Sequence, residues 1–515
     1  MNNNGCLKVF IISVLCLYLS GVECIARNHY VSPVQHGLLE AKSDIDRYWV
    51  LYNAHHEAAK INSRIIYKGL DTIRIEIPRN AQSLPLTDYV DFGNTVLIVK
   101  NTEKNFHLFT IDNRLEDYCV EGDDVEERRK VSHQGSFLVV VEDENPWVKQ
   151  RRGYNYGHIR KDVLFVENGR VCGDVISSYL TKSSQPRYSR CFVGDQKKII
   201  KNLVFIRNVS STRRTQVLAV SNEYNVSVEN IRIVTPPNDM YADVAMYFGN
   251  CYKVRMKDIT IDGTYSNVDA YGYGISLDNV SNVRIDNLKA QAEWGVFGNN
   301  NVNNIHLENC DINRFDVHCY GKDIYFERCT FRDLYNQFSS IYGDLEYINC
   351  EFYDFIPVLF ETTYNSYTKF NLRFKNCKVY VSKNKNYLIA GGDLNDEKTN
   401  ERCELRVKEY PNLYINGLTL EISDDIDTYY IYNIHRKMLA LPQDSIPGVK
   451  QLKGISFKNY SGKKINIKMS NLGCFIRKPA GKRECAAIGV LAAMTIFSIC
   501  GASAYQKKRD RNVKR

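Results

Sequence analysis

The feature that most constrains this chain is a repeat of short strand-like segments. Runs of alternating apolar and polar residues recur every 19 to 29 residues, separated by Asn, Asp or Gly turns. The repeats begin at Asn202, Asn225, Val254, Asn282, Asn304, Asp323, Asp344 and Phe370. Because one such unit cannot bury its own apolar side chains, successive units are expected to stack as coils around a shared interior. The sequence therefore predicts a solenoid of parallel strands.

Cysteines recur at one position of these repeats, namely Cys310, Cys329, Cys350 and Cys377. We expect them to point inward as small buried residues, and not to act as disulfides or metal ligands. An asparagine stands directly before three of them, at Asn309, Asn349 and Asn376. The amides of these asparagines are expected to bond from coil to coil. In an exported domain, Cys172 and Cys191 could form a disulfide.

The repeat pattern resembles the pectin-lyase-like superfamily of right-handed parallel β-helices, over roughly residues 65–468. An amphipathic helix is predicted from Ser43 to about Ile61, with Ile45, Trp49, Tyr52 and Ala59 on one face. It looks like the cap at the N-terminal end of such solenoids. The motif set of polygalacturonase-like enzymes is not met, because Gly157-His158 is followed by Ile159 where those enzymes have glycine. The resemblance therefore predicts architecture and leaves the activity open.

Two apolar runs lie near the ends of the chain. The first, from Val9 to Leu19, follows Lys8 and reads as a secretory signal. The second, from Cys485 to Tyr505, is uncharged, flanked by basic residues and long enough to cross a bilayer. Much of the formal charge of +9 lies beside this second run, so it indicates a membrane flank and not a nucleic-acid partner. We expect an exported protein anchored at the cell surface; lipidation at Cys24 and a processed C-terminal sorting signal are the alternatives.

The predicted fold class is all-β: a right-handed parallel β-helix solenoid with an N-terminal capping helix and a C-terminal transmembrane helix. The predicted domains are a signal peptide (1–24), an N-terminal segment with the capping helix (25–62), the β-helix with inserted loops around 103–200 (63–475), a juxtamembrane linker (476–484), the transmembrane helix (485–505) and a basic cytoplasmic tail (506–515).

A second strand can be aligned in four successive repeats, where the segments begin at Gly274, Gly295, Asp316 and Phe338. Strand alternation predicts that Ile275, Val296, Val317 and Ser339 point inward. The outward set is then Ser276, Phe297, His318 and Ser340. Asp316 is expected on the same exposed face as His318. Further polar or aromatic candidates for this face are Glu293, Arg314, Tyr320 and Glu361.

This combination of side chains suits a sugar ligand. Aromatic faces stack on sugar C–H surfaces, and charged groups bond hydroxyls or uronate carboxylates. Asp316, His318 and Glu361 are the candidate catalytic residues, with His318 as general acid or base. Asp316 and Glu361 would serve glycoside hydrolysis if suitably spaced. Substrate binding is assigned to Glu293, Phe297, Arg314, Tyr320 and Ser340, with Arg314 available to neutralise a substrate carboxylate during lyase chemistry.

Two hypotheses about function follow from these residues. The first is an enzyme acting on acidic polysaccharide, either a lyase or a glycoside hydrolase. The second is a non-catalytic adhesin or glycan-binding protein that uses the solenoid as a rigid scaffold. Both predict a polysaccharide or surface glycan as partner, with membrane attachment through the C-terminal helix. The sequence contains no phosphate-binding loop or zinc-protease motif, and no cofactor or metal is expected.

Overall fold

The computed structural model describes residues 30–118, 135–143, 159–176, 186–194, 196–236, 244–263, 273–291, 295–360, 369–382, 385–391, 411–434, 449–459 and 465–470. The described chain divides into two compact units. The N-terminal unit holds the described residues of 30–145, 160–303 and 310–312. The C-terminal unit holds residue 159, residues 304–309 and the described residues from 313 to 470.

The predicted helix is present as α1 (Asp44–Lys60), and a 3₁₀ helix (Pro33–His36) precedes it. The Ser43 hydroxyl accepts a hydrogen bond from the Asp46 amide at 3.0 Å, and the Asp46 carboxylate accepts one from the Ser43 amide at 3.1 Å. This reciprocal pair satisfies amides that a helix start leaves open. The sequence-based start at Ser43 is therefore confirmed.

The buried face of α1 is not the predicted one. The buried residues of the helix are Tyr48, Leu51, Ala54, His55 and Ala58, whereas Ile45 and Ala59 are exposed. Two buried side chains with polar groups explain why the helix turns a different face to the interior. The Tyr48 hydroxyl donates to the Gln82 carbonyl, and His55 bonds both the Pro85 carbonyl and the Tyr67 hydroxyl. Residues that read as polar are thus buried because each has a partner. The capping role of α1 stays a prediction.

The strands follow in chain order. They are β1 (Tyr30–Val31), β2 (Arg64–Ile66), β3 (Thr72–Glu76), β4 (Leu84–Pro85), β5 (Tyr89–Asp91), β6 (Val96–Lys100), β7 (Phe106–Asp112), β8 (Glu116–Asp117), β9 (Ser136–Asp143), β10 (Lys161–Glu167), β11 (Arg170–Cys172), β12 (Pro186–Phe192), β13 (Lys198–Arg207), β14 (Thr215–Ser221), β15 (Tyr224–Thr235), β16 (Met246–Gly263), β17 (Ile275–Gln291), β18 (Phe297–Glu308), β19 (Asp311–Ile312), β20 (Phe315–Glu327), β21 (Thr330–Arg332), β22 (Tyr335–Phe338), β23 (Ile341–Ile348), β24 (Glu351–Tyr353), β25 (Ile356–Phe360), β26 (Lys369–Val381), β27 (Tyr387–Gly391), β28 (Asn412–Ile422), β29 (Thr428–Ile434), β30 (Val449–Asn459) and β31 (Asn466–Ser470).

The N-terminal unit is built from parallel coils, as the repeat predicts. One interior column shows the register, because each residue pairs with the next coil's residue and all are buried: Ile73, Leu97, Phe205, Ile233, Ile261, Ala290 and Ile312. Each strand gives one residue to this column, and its alternate residues point inward in the same way, so the period-2 pattern of the sequence becomes a continuous apolar interior.

Within the region predicted to hold inserted loops, the structure has a separate antiparallel sheet. Its strand order is β11-β10-β9-β12-β8. One face of this sheet packs on the coils of the same unit, where the Phe165 ring stacks on Tyr224 with centroids 3.8 Å apart. Leu138, Val140 and Cys191 belong to the same apolar cluster.

The prediction that Cys172 and Cys191 could form a disulfide is wrong. Both cysteines are free thiols. Cys172 pairs with Phe165, Phe165 with Leu138, and Leu138 with Cys191, so three strand spacings separate the cysteines. Three spacings of about 4.8 Å exceed the Cα separation that a disulfide bridges.

The C-terminal unit is also a stack of parallel coils. Phe326, Tyr347 and Phe374 occupy successive rungs, and their rings stack with centroids 4.9 and 5.2 Å apart. The thiols of Cys350 and Cys377 donate to carbonyls of a preceding coil, at Phe326 and Tyr347. All four predicted column cysteines are buried and free, which confirms their inward position.

The Asn turn prediction is only partly right. Asn309, Asn349 and Asn376 have positive φ angles between 53° and 55°. Asparagine tolerates this left-handed conformation better than most residues. The position between them in the stack is Arg328, whose guanidinium donates to the Asn309 side-chain oxygen at 3.0 Å. An arginine therefore interrupts the expected amide ladder.

The predicted signal peptide at 1–24 and the predicted transmembrane helix at 485–505 lie outside the described residues. Among the residues that the structure describes, no helix combines the length and the apolar character that a membrane span requires.

Candidate functional site

Strand β20 carries three of the eight candidate residues, Asp316, His318 and Tyr320. Phe315, Val317 and Cys319 are fully buried, and the Phe315 ring contacts Phe326 in the interior at 5.2 Å between centroids. Strand alternation then turns the side chains of Asp316 and His318 to the opposite face. Only His318 of these two is partly exposed, whereas Asp316 is completely buried.

Asp316 and Arg314 form a buried ion pair on that face. The Nε of Arg314 donates to Oδ1 of Asp316 at 2.7 Å, and the two side chains are 3% and 0% exposed. A second nitrogen of the guanidinium donates to the Gln337 side-chain oxygen at 2.8 Å. The guanidinium also lies over the Tyr335 ring, 4.4 Å from its centroid. Such charge-assisted bonds and cation–π contact hold both side chains in one geometry.

His318 is the partly exposed member of this group. Its Nε2 lies 3.7 Å from Oδ2 of Asp316, and its side chain is 14% exposed. We call Arg314, Asp316, His318, Tyr335 and Gln337 the His318 cluster. A carboxylate fixed by an arginine beside an imidazole is suited to orient that ring. An imidazole so placed can bond a sugar hydroxyl or transfer a proton.

Tyr335 and Gln337 were missed by the sequence analysis because of the register. The structure pairs Asp316 with Gln337 and Val317 with Phe338, and then pairs Gly321 with Ile341. Three residues of β20 therefore face two residues of the next coil. This bulge displaces the alignment that had matched the glycines at 321 and 343. The pairing of Gln337 with Asp316 can be recognised only once this bulge is known.

Several predicted positions need correction. Phe297 is fully buried. Its place in the stack follows from a backbone hydrogen bond in which the Ile275 amide donates to the Val296 carbonyl. In the same way the Met246 amide donates to the Gly274 carbonyl, and Met246 is paired with Ile275, the residue that follows Gly274. By that rule Phe297 lies opposite the interior Ile275, one residue from the predicted alignment.

Ser340 and Tyr320 are not exposed ligand contacts. Both are 2% exposed and have positive φ angles, 54° and 56°, so the left-handed backbone interrupts the regular alternation of strand side chains at these positions. Asp316 is also buried and not on an exposed surface, because Arg314 and its neighbours cover it. Arg314 cannot neutralise a substrate carboxylate as predicted, since its guanidinium is buried and bonded to Asp316 and Gln337.

Glu293 and Glu361, the two remaining candidates, lie outside the described residues. Their roles in binding and catalysis stay predictions. Within the described part of the chain, no group of three or more His, Cys, Asp or Glu side chains is arranged to hold a metal ion.

Comparison with known proteins places the fold. No family model matches the sequence, and no curated protein matches it. Among solved structures, the tailspike protein gp49 from Pseudomonas phage LKA1 is 13% identical with a TM-score of 0.53, over 85% of this chain and 78% of the tailspike. The Gp54 tailspike of Acinetobacter baumannii bacteriophage AP22, solved in complex with A. baumannii capsular saccharide, is 10% identical with a TM-score of 0.52, over 86% and 77%.

A family 28 exopolygalacturonase from Yersinia enterocolitica is 10% identical over 86% of this chain and 78% of the enzyme, with a TM-score of 0.31. The two tailspikes share the fold of this chain, and the right-handed parallel β-helix that the repeat pattern predicts is therefore confirmed. At such identities the likeness establishes the fold alone.

Proposed function

We propose that this right-handed parallel β-helix protein binds polysaccharide through the His318 cluster. The observation that carries the proposal is a buried Arg314–Asp316 pair that supports a partly exposed His318. Burying two charges costs several kcal/mol of desolvation per ion, and apolar residues of similar size commonly give equal or higher stability. A charged pair at this place is therefore better explained by the imidazole that it positions than by folding.

The tailspike neighbours support a glycan as the partner. One of them was solved with a capsular saccharide on the same fold. In the present chain the His318 cluster offers a partly exposed imidazole and the partly exposed ring of Tyr335. These are the groups that bond sugar hydroxyls and cover sugar C–H surfaces. The chemistry of the cluster and the fold thus point to the same class of partner.

A second candidate function is catalysis on an acidic glycan, favoured by the proximity of Asp316 to His318. In β-elimination, His318 would take the proton from the carbon beside a uronate carboxyl. The electron pair forms a C=C bond, the glycosidic C–O bond breaks, and the departing oxygen takes up a proton. Hydrolysis instead needs two available carboxyl groups, and the carboxylate of Asp316 is already bonded by Arg314. Elimination is therefore the reaction that we propose to test.

The test uses the full-length chain and a polysaccharide panel, reading binding, reducing ends and the ultraviolet absorbance of unsaturated products. His318→Ala is expected to weaken capture of the bound glycan about tenfold or more if the cluster only binds. His306→Ala is the matched control, because His306 stacks on Tyr325 on another strand segment of the same unit. Equal behaviour of wild type and His318→Ala in all three readouts would overturn the proposal.

We also propose that the protein is exported and held at the cell surface by the run from Cys485 to Tyr505. Its uncharged length and basic flanks support this location. Removing Cys485 to Arg515 should release the remainder into the soluble fraction. Retention of the truncated chain by the membrane would contradict the anchor and favour a lipid at Cys24.

A further inference from the structure

Two tyrosine rings lie directly on the outward surface of the strands in the N-terminal unit. The first is Tyr247, whose ring lies over Gly249: a Cβ on that glycine would come within 2.5 Å of the Tyr247 hydroxyl oxygen. The second is Tyr273, whose ring lies so close to Gly298 that a Cβ there would overlap it. Glycine inside a strand weakens it and often marks a close approach. Here each glycine makes room for one aromatic ring.

The two rings belong to neighbouring coils. Tyr247 pairs with Ser276 and Gly249 pairs with Asp278, so both partners lie on the next rung. The Ser276 hydroxyl donates to the Gly298 carbonyl at 3.0 Å, which joins this rung to the one beneath the Tyr273 ring. Gly249, Asp278 and Gly298 thus occupy three successive rungs, about 10 Å from first to last. Tyr247 and Tyr273 are both partly exposed.

The carboxyl group of Asp278 lies on the rung between those of Gly249 and Gly298. Asp278 is partly exposed and receives no hydrogen bond or ion pair from the described residues. Burial raises the pKa of its carboxyl above the ordinary value, Lys161 opposes the shift, and Glu142 adds to it. Asp278 is also close enough to Tyr247 to help raise the pKa of that phenol, after the larger effect of burial. A carboxyl without a structural partner is free to bond a ligand.

The inserted antiparallel sheet supplies charged side chains beside Asp278. Lys161 and Arg187 both bond Glu142, at 2.7 and 2.6 Å. Burial opposes ionisation of Glu142, but these two bonds outweigh it and hold its pKa below the ordinary value. The Lys161 amide is fixed to the coils by the Asn301 side-chain oxygen at 2.8 Å. The two basic groups are therefore already committed to an ionised carboxylate.

We propose that Tyr247, Asp278 and Tyr273 form a binding strip for two successive sugar units of an uncharged polysaccharide. Each flat ring stacks on the C–H face of one sugar, and Asp278 bonds hydroxyls between them. A uronate would instead meet the carboxyl groups of Asp278 and Asp112, both of which act on Tyr247, and the basic groups at the edge are bonded to Glu142. The strip thus selects neutral or N-acetylated sugars. This inference rests on the proposed function for its class of partner, but uses different residues.

The experiment measures binding of the full-length chain to dextran, mannan, chitin oligosaccharides and polygalacturonate. Tyr247→Ala and Tyr273→Ala are each expected to lower the affinity for the neutral ligand about tenfold or more, as for loss of a central aromatic contact. Tyr89→Ala is the matched control, because Tyr89 is a partly buried tyrosine of the same unit that lies between Arg64 and Lys201. Asp278→Ala tests the carboxyl group of the strip. Its control is Asp286→Asn, since both acids lie on β17.

A second readout does not depend on the variants folding. Hydroxyl-radical footprinting, which does not require the phenolate, followed by peptide mass spectrometry, is expected to show that the bound neutral glycan protects Tyr247 and Tyr273 and leaves Tyr89 unprotected. Binding that persists in both tyrosine variants without this protection overturns the strip, and the proposed function survives if His318→Ala abolishes that binding. Exclusive binding of polygalacturonate also overturns the strip. No binding of any glycan overturns both proposals.

Discussion

The Nε of Arg314 donates to Oδ1 of Asp316 at 2.7 Å while both side chains are almost completely excluded from solvent. Removing one partner leaves the other charge buried without compensation. Arg314→Met and Asp316→Leu are therefore each expected to lower the free energy of unfolding by about 3–5 kcal/mol. The double variant should lose less than either single variant, because no uncompensated charge remains. Chemical denaturation of all four proteins gives this cycle.

The exposed pair of Arg232 and Asp262 provides the control for that cycle. Its atoms are 3.1 Å apart, but both side chains are about half exposed. Water screens such pairs, and Arg232→Met is expected to cost less than about 1 kcal/mol. If the double variant of Arg314 and Asp316 is as unstable as the sum of the single variants, the two charges do not compensate each other as we argue.

Because His55 is buried, we expect the protein to lose stability in acid. The ring is completely buried, and burial lowers its pKa to about 4, although the bond to the Pro85 carbonyl opposes the shift. The unfolded chain takes up this proton near pH 6.5 and the folded chain only near pH 4. Stability is therefore fully present above pH 6.5 and falls between pH 6.5 and 4, by about 3 kcal/mol.

Denaturation at pH 7 and at pH 4.5 checks this contribution. His55→Gln keeps polar atoms near Tyr67 and Pro85 but removes the titration. The variant is expected to be less stable than wild type at pH 7 and to lose less stability on acidification. A variant that loses as much stability as wild type between the two pH values would show that other groups carry the acid effect.

The interior of the solenoid could be predicted from sequence, while the site could not be predicted to the same detail. Apolar residues at period 2 have one favourable side, so Ile275 and Val317 were correctly placed inside. The register between coils is harder to predict from the sequence. The bulge between Asp316 and Gly321 costs one residue of alignment. No composition signal marks it, and Ser340 was consequently misplaced. Phe297 was misplaced by a separate one-residue error of alignment on β18.

Partners also decide burial in ways that single residues do not reveal. Asp316 reads as a surface residue because isolated carboxylates avoid the interior. It is buried here because Arg314, two residues earlier, reaches it and also bonds Gln337. His55 is buried for the same reason, since both ring nitrogens have partners. Such contacts join residues on different strands or elements, which a linear pattern does not record.

Gly249 is expected to tolerate no side chain while Tyr247 is present. Gly249→Ala places a methyl group against the Tyr247 ring, and overpacking of this kind typically costs about 1–3 kcal/mol. In a Tyr247→Ala background the same change should cost much less, because the obstacle is gone. Gly194→Ala is the control, since nothing lies within 4 Å of a Cβ there. Thermal denaturation of these variants measures the coupling, and additive effects would show that the ring does not need the glycine.

Thiol labelling should distinguish one of the eight described cysteines. Cys172 is partly exposed, whereas the other seven are buried. Burial raises the pKa of Cys191 to about 11, so little thiolate forms near neutral pH. Iodoacetamide on the native protein, read by peptide mass spectrometry, is expected to modify Cys172 first among these eight. Rapid labelling of Cys329, Cys350 or Cys377 would contradict the inward column.

His318 gives the prediction that separates catalysis from binding. If the imidazole removes a proton during elimination, His318→Ala should reduce turnover about 100-fold or more while the glycan still binds, since general base catalysis contributes at that scale. Asp316→Asn should then also reduce turnover, because the carboxylate whose Oδ2 lies 3.7 Å from Nε2 no longer orients the ring. His306→Ala should change neither quantity.

If the cluster only binds, no polysaccharide will be degraded and His318→Ala will weaken capture alone. Thermal denaturation must show that the variant is folded, which is expected because His318 is partly exposed and lies outside the apolar interior. Turnover that survives His318→Ala unchanged would exclude the imidazole as the base. The reaction would then have to be sought elsewhere, beginning with Glu361 and Glu293, the two acidic candidates outside the described residues.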